Sequence, residues 1–354
     1  MAREAILQPD DDDEPAAISA ILDDDRDLRP QRMGDMVGQR EVHARLKIAL
    51  DAAVKRRETL GHILFDGPPG LGKTTFAMAI PRDLGVSAQI ATGAVLRAPK
   101  DLIPYLTNAE ENSVLFIDEI HRLPAPVEEF LYPAMEDFRI DLTLGEGVNA
   151  RTINMSLRPF TLIGATTRSG MLSAPLRDRF IIREHLEFYS VDELAQIVRR
   201  SAAKLSTQID DEAANEIAIR SRGTPRLANN RLRLVRDFAT AKSDGHVTLS
   251  LARRALDMWG IDPLGLDTQD RKYLETIART FHGGPVGVEA VAHTMNTSPD
   301  TLEDEVEPYL LRSELVVRTP RGRKVTAGAY QHLGLEPRRD GYDASGAQGS
   351  LFGG

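Results

Sequence analysis

From Glu41 onward the chain alternates between two apolar rhythms. Short unbroken runs, Ile63-Leu64-Phe65, Val114-Leu115-Phe116-Ile117 and Phe160 to Ala165, have the length of strands buried on both faces of a parallel sheet. Between them lie stretches with helical spacing. Glu41 to Arg57 places Val42, Leu46, Ala49, Leu50 and Ala53 on one face, and helices are also predicted from Thr74 onward, over Asp101 to Asn108 and over Val127 to Met135. Gly85 to Ile90 reads as another strand. Such alternation predicts an α/β domain with a parallel sheet. One stretch inside it alternates residue by residue: Phe138, Ile140, Leu142 and Leu144, a turn at Gly145 to Asn149, then Ile153, Met155 and Leu157. This hairpin either packs its apolar face on the domain or projects as a docking site for another protein.

Beyond Ser190 the strand rhythm stops. Helices are predicted over 192–203, 212–221 and 226–241, with a break at Gly223-Thr224-Pro225, and the small helical domain runs to about Gly260. Apart from Arg226, the arginines of 226–236 read as a solvated helix face. Asp262-Pro263-Leu264-Gly265 reads as a linker. Helices over Asp270 to Phe281, Val286 to Met295 and Pro299 to Arg312 then precede a strand over Glu314 to Thr319, a turn through Arg323 and a strand from Lys324 to Thr326. Three helices followed by a β-hairpin predict a winged helix. The acidic start and the Gly-rich end read as disordered. The resulting division is 1–27, 28–183, 184–260, 261–336 and 337–354.

Composition narrows the partners. The 354 residues, 42% of them hydrophobic, suffice for two or three cores. No run has the length of a membrane span. The absence of cysteine excludes disulfides and thiolate metal sites and accords with a reducing cytoplasm. At a net charge of −9, any nucleic-acid binding must be local.

The candidate chemistry centres on Gly67 to Thr74, which fits G-x-x-x-x-G-K-[ST] between a strand and a helix. Its glycines let backbone N–H groups close on a phosphate, Lys73 reaches the β- and γ-phosphates, and the Thr74 hydroxyl can ligate Mg²⁺. Asp118-Glu119 ends an apolar strand, the edge at which such sheets bind ligands. Asp118 can hold the Mg²⁺ shell and Glu119 can polarise an attacking water. Thr166 and Thr167 end another strand at the same edge and can test for a γ-phosphate. Arg177 and Arg179 precede Phe180; such a pair is ordinarily a surface ion pair, but in a ring an arginine can reach a neighbour's γ-phosphate. In the final hairpin region Arg312, Arg318, Arg321, Arg323 and Lys324 face a single acid, Glu314, a phosphate-binding composition.

The ordered set Leu28-Arg29-Pro30, Gly67 to Thr75, Leu106-Thr107-Asn108, Leu115 to Leu123, Leu131 to Phe138, Phe160 to Arg168, Ala174 to Phe180, Arg220 to Arg226, Gly283 to Gly287, Glu307 to Leu311 and Arg318 to Arg323 resembles the RuvB family of AAA+ ATPases, motors of bacterial Holliday-junction branch migration. The likeness covers about residues 28–335. It implies an AAA+ sheet domain, a helical lid and a winged helix, with ATP and Mg²⁺ as cofactors. It makes Thr167 sensor 1, Arg179 a finger acting on the neighbouring subunit, and Arg226 sensor 2. It places Leu28, Arg29, Gly70, Gly72, Thr75, Glu136, Asp137, Phe138 and Tyr189 around the nucleotide. It further implies a cytoplasmic homohexamer on duplex and four-way junction DNA, acting in recombination, repair and the SOS response. RuvA would dock on hairpin 138–157, RuvC would join the resolving complex, and Arg318, Arg321 and Arg323 would contact the DNA backbone. Asn296 to Asp300 departs from the pattern by lacking a basic residue that relatives carry there. Gln348 to Phe352 faintly resembles a sliding-clamp peptide. The residues alone also leave open a clamp-loader-like ATP switch and an ATP-gated regulator that binds one sequence.

Overall fold

The computed structural model describes residues 28–144 and 151–336; both expected disordered tails, the turn at Gly145 to Asn149 and the clamp-like peptide lie outside them. The described chain forms two compact units that divide after Gly265.

The first unit carries strands β1 (Ile63–Asp66), β2 (Ala88–Thr92), β3 (Val114–Asp118), β4 (Arg139–Leu144), β5 (Arg151–Ser156), β6 (Thr161–Thr166) and β7 (Ile182–His185). Five of them make one parallel sheet in the order β2-β3-β6-β1-β7. Alternate residues of the apolar runs serve opposite faces. Phe65, Val114, Phe116 and Ile163 pack into one core with Phe76 and Ile80, while Leu64, Leu115, Ile117 and Leu162 pack into another with Leu131 and Phe180. Burial on both faces is why these strands show no polar alternation. The parallel register aligns the strand ends, setting Asp66 beside Thr166 and Thr92 beside Asp118. Sequence periodicity did not anticipate β7. Its Ile-Arg-Glu-His run lacks an apolar signal because Glu184 is buried against Arg45, with Nη2 2.6 Å from the carboxylate.

The inserted hairpin packs on the domain at its root. β4 and β5 pair antiparallel, with Ile140 opposite Met155 and Leu142 opposite Ile153. Ile140 is fully buried in the second core and Leu142 and Met155 are partly buried against it, but Ile153 is 48% exposed.

The lid has four helices: Val191–Lys204, Asp211–Ile219, Pro225–Lys242 and Leu249–Met258. Ser190 starts the first with a capping box to Glu193. The fourth lay beyond the three helices read from the sequence. It buries mainly the small residues Ala252 and Ala255 with Leu256, a weak periodic signal. The lid packs into the first core through Leu194, Val198 and Leu232. Arg231 is not part of a solvated face: it is buried and donates through Nη2 to the Gly265 carbonyl at 2.9 Å.

The second unit is the winged helix. Helix Thr268–Glu275 continues through a π turn, Thr276–Thr280, and helix Val288–Met295 follows. Pro299–Thr301 then runs through a π turn, Leu302–Val306, into Glu307–Arg312. Strands β8 (Val316–Thr319) and β9 (Gly322–Val325) make the wing, and an unanticipated helix, Ala327–Leu333, is capped by Thr326. Tyr273, Leu274, Val291, Leu302, Leu310, Val316 and Val325 form its core.

Candidate nucleotide site and wing

The G-x-x-x-x-G-K-T loop works here through two backbone positions. Gly70 (φ 77°) and Gly72 (φ 104°) occupy the left-handed region that side chains disfavour. A Cβ on Gly70 would lie 2.6 Å from Thr224 Cγ2 and 3.1 Å from Arg226 Cβ, so a glycine is needed where the lid meets the loop. Gly72 is the N-cap of helix Lys73–Leu84, whose first amides therefore face the pocket with the positive end of the helix dipole.

That pocket, about 930 Å³, is large enough for a nucleoside triphosphate. Leu28, Arg29, Gly70, Gly72, Lys73, Thr74, Thr75, Asp118, Glu119, Thr167, Tyr189 and Arg226 all line it. Lys73 is buried and its ammonium donates to the carbonyls of Gly67 at 2.7 Å and Pro68 at 2.9 Å. Burial lowers its pKa to about 8, with nearby Arg226 acting in the same direction against the attraction of Asp118. Thr74 Oγ1 donates to Asp118 Oδ2 at 3.1 Å, bringing together a hydroxyl and a carboxylate, the hard oxygen donors that Mg²⁺ takes. Asp118 Oδ1 accepts from the Glu119 amide at 3.0 Å. Glu119 sits at φ 49°, and its carboxylate is held by Arg122 Nη1 at 3.0 Å.

Of the two strand-end threonines, Thr166 is consumed locally. It is buried, and its hydroxyl lies 2.9 Å from His121 Nδ1 and accepts from the Arg168 amide at 2.9 Å. Thr167 lies on the same pocket wall. Tyr189 packs its ring on Gly38, donates to the Leu71 carbonyl at 3.2 Å, and has its phenol pKa raised by burial.

Beyond Arg226, sequence reasoning missed the lid's share of this pocket. Ile197, Arg200, Ser201 and Lys204 line it from helix Val191–Lys204, with Asn229 from the third lid helix, Pro225–Lys242. Lys204 Nζ donates to the carbonyls of Leu28 at 3.2 Å and Arg29 at 3.4 Å, and Arg200 Nη1 to that of Asp35 at 2.8 Å. The lid thereby ties down the segment that precedes helix Arg40–Arg56. Helical spacing of Ile197, Arg200, Ser201 and Lys204 beside the buried Leu194 and Val198 was the available signal.

Four residues predicted around the nucleotide do not line the pocket of their own chain: Glu136, Asp137, Phe138 and Arg179. Arg179 instead lies over the Tyr132 ring, 4.2 Å from its centroid, with Nη2 3.0 Å from Glu136 Oε1 and Nη1 donating to the Pro175 carbonyl at 2.8 Å.

In the second unit, Arg318 and Arg323 face each other across the wing. Both meet Glu307, which is completely buried: Arg318 Nε at 2.9 Å and Arg323 Nε at 2.8 Å, with Tyr273 Oη donating at 2.6 Å. Arg323 also pairs with Glu303. Glu307 thus adds a buried carboxylate to the single acid, Glu314, that the basic composition of the hairpin region showed. The Arg318 side chain is 51% exposed against 15% for Arg323, while Arg321 and Lys324 are exposed. Asn296, in the segment lacking a basic residue, caps helix Val288–Met295 at φ 55°, a conformation that asparagine tolerates.

Comparison with known proteins agrees along the whole described chain. The family model for the Holliday junction DNA helicase RuvB P-loop domain matches residues 28–186, that for the RuvB AAA lid domain 189–262, and that for the RuvB C-terminal winged helix domain 263–334. A Holliday junction branch migration complex subunit RuvB from Rhodopirellula baltica is 61% identical over 351 residues, covering 94% of this chain and 96% of that one. The solved Thermotoga maritima RuvB Holliday junction branch migration motor superposes with a TM-score of 0.81 at 45% identity, covering 88% of this chain and 99% of its own. A mutant of that protein gives 0.82 at 45% identity, covering 87% of this chain and 99% of its own. The P-loop pocket, the lid that closes on it and the separate winged helix are thus those of one lineage, and the chain belongs to the RuvB family of AAA+ ATPases.

Proposed function

We propose that the chain is the ATP-driven motor of Holliday-junction branch migration. It works as a cytoplasmic homohexameric ring on duplex DNA, drives a four-way junction held by RuvA, and joins RuvC when the junction is resolved. One observation carries the reading: Lys73, Asp118, Glu119 and Thr167 converge with Arg226 of the lid on one pocket, while Arg179 is held outside it. A lone enzyme would have no use for a finger aimed away from its own site, whereas a ring subunit offers it to its neighbour.

ATP enters with its phosphates along the amides of Gly70 to Thr75. The Lys73 ammonium exchanges the Gly67 and Pro68 carbonyls for phosphate oxygens. Thr74 and Asp118 would hold Mg²⁺, which when bound neutralises the β- and γ-oxygens. Glu119 leaves Arg122 and accepts a proton from the water that attacks the γ-phosphorus, releasing ADP and inorganic phosphate. Thr167 orients that phosphate, Arg226 couples it to the lid angle, and the neighbour's Arg179 offsets charge in the transition state. Leu28, Arg29 and Tyr189 enclose the base, and Glu136, Asp137 and Phe138 lie at the finger's side of the interface. RuvA docks on hairpin 138–157, and Arg318 and Arg321, with Arg323 braced beneath, meet DNA phosphates.

The test is strand exchange on a synthetic four-way junction with and without RuvA. Migration that requires ATP hydrolysis and is accelerated by RuvA is the expected result. ATP binding with little steady turnover and no movement of the junction would overturn the motor in favour of a switch.

A further inference from the structure

Arginine fingers are long and flexible, and free rotation would scatter the guanidinium over many positions at an entropic cost on each engagement. Here it is held on three sides. Tyr132 and Glu136 lie one turn apart on helix Ala125–Glu136 and so share a face. The Tyr132 ring lies under the Arg179 guanidinium, Glu136 takes Nη2 and the Pro175 carbonyl takes Nη1. The Tyr132 hydroxyl also lies 3.2 Å from Ser173 Oγ, the N-cap of helix Ala174–Asp178, at whose C-terminal end Arg179 stands. Two successive turns of one helix thus brace both ends of the finger's own helix. Only 20% of the Arg179 side chain is exposed, and its Nε is buried with no hydrogen-bond partner. A buried N–H with no acceptor is costly, and it leaves the guanidinium with unspent hydrogen-bonding capacity.

We propose that Tyr132 and Glu136 are positioning residues for the arginine finger: the ring fixes the plane of the guanidinium, and the carboxylate holds Nη2 until a neighbour's γ-phosphate takes its place. The proposal rests on the reading of Arg179 as a finger acting in trans. The phosphate carries more charge than the carboxylate and can displace it, while the ring, being neutral, stays beneath the guanidinium throughout. Helix Ala125–Glu136 leads directly into β4, so the dock adjoins the root of the hairpin.

The test is complementation in rings co-expressed from two variants. A Tyr132→Leu subunit keeps its own pocket but presents a poorly set finger, and a Lys73→Ala subunit has an inactive pocket but an intact finger. Tyr132→Leu alone is expected to lower kcat about tenfold with KM for ATP little changed, the size of a partly desolvated cation–π contact. Tyr132→Phe, which keeps the ring, should turn over at close to the unmodified rate. Co-expressed Tyr132→Leu and Lys73→Ala rings should hydrolyse ATP faster than the sum of the two alone, because the intact finger then faces the intact pocket. Arg179→Ala with Lys73→Ala is the control for the underlying reading. No gain in the control overturns the trans finger itself. Gain in the control without gain for Tyr132→Leu overturns the dock, as does a Tyr132→Phe variant as slow as Tyr132→Leu.

Discussion

Lys73 shows how one burial event supplies both affinity and pH dependence. In the nucleotide-free pocket its pKa is lowered to about 8 by desolvation, whereas triphosphate oxygens would hold the ammonium charged. Above that pH, binding ATP requires uptake of a proton. Affinity should fall as pH rises through and beyond 8, by up to about tenfold per pH unit, and be insensitive to this group below it. Calorimetry in buffers of different ionisation enthalpy would detect the proton; affinity unchanged up to pH 10 would contradict the argument. Lys73→Ala should weaken ATP binding by about a hundredfold. Glu119→Gln should bind ATP normally and hydrolyse it about a thousandfold more slowly; ordinary turnover would remove Glu119 from its role. At this scale the sequence was legible where a residue's partners are its chain neighbours, as in the phosphate loop. It was not legible where partners come from afar: nothing near Arg323 announced the buried Glu307, and Thr166 and Thr167 separate only once His121 is seen to occupy the first.

Elements were readable in proportion to how strongly their apolar rhythm reflects burial. Strands β1, β3 and β6 announced themselves because both faces are covered, while β7 hid behind an ion-paired glutamate. The hairpin and the wing carry the element-scale tests. Ile153 is the half-exposed apolar residue beyond the packed root, so Ile153→Ser should abolish stimulation by RuvA and cost under about 1 kcal/mol of stability. Loss of folding in that variant would mean that the outer hairpin packs on its own domain. In the wing, two arginines directly opposed across a ladder repel each other unless an anion lies between them, and Glu307 supplies it. Arg323→Ala leaves that buried carboxylate half-compensated and should destabilise the winged helix by about 3 kcal/mol, measured by thermal unfolding. Burial raises the Glu307 pKa, but hydrogen bonds from Arg323, Tyr273 and Arg318 outweigh it and leave the carboxyl below its ordinary 4.5. Its stabilisation is therefore complete above that value and is lost as pH falls below it. A Glu307→Gln domain should show a flatter acid limb.

The whole molecule is an acidic protein, net charge −9, that must hold a polyanion, so attraction to DNA has to come from a small surface and its range is limited by screening. The proposed contact surface is the wing, where Arg321 and Lys324 are exposed and the half-exposed Arg318 has its Nε and Nη2 fixed on Glu307. These groups suit phosphates, and no set of side chains arranged for base edges accompanies them among the described residues of the wing. Affinity should accordingly be nearly independent of sequence and steeply dependent on salt, with log K falling against log salt by about 0.9 per phosphate contact. Arg318→Ala should flatten that slope by roughly one unit and weaken all sequences alike, while costing less stability than Arg323→Ala because its side chain is 51% exposed against 15% for Arg323, which also pairs with Glu303. Duplexes of unrelated sequence titrated at several salt concentrations provide the measurement. A loss confined to particular sequences with the slope unchanged would mean that the wing reads bases, and the molecule would then be a regulator gated by ATP in place of a motor driven by it.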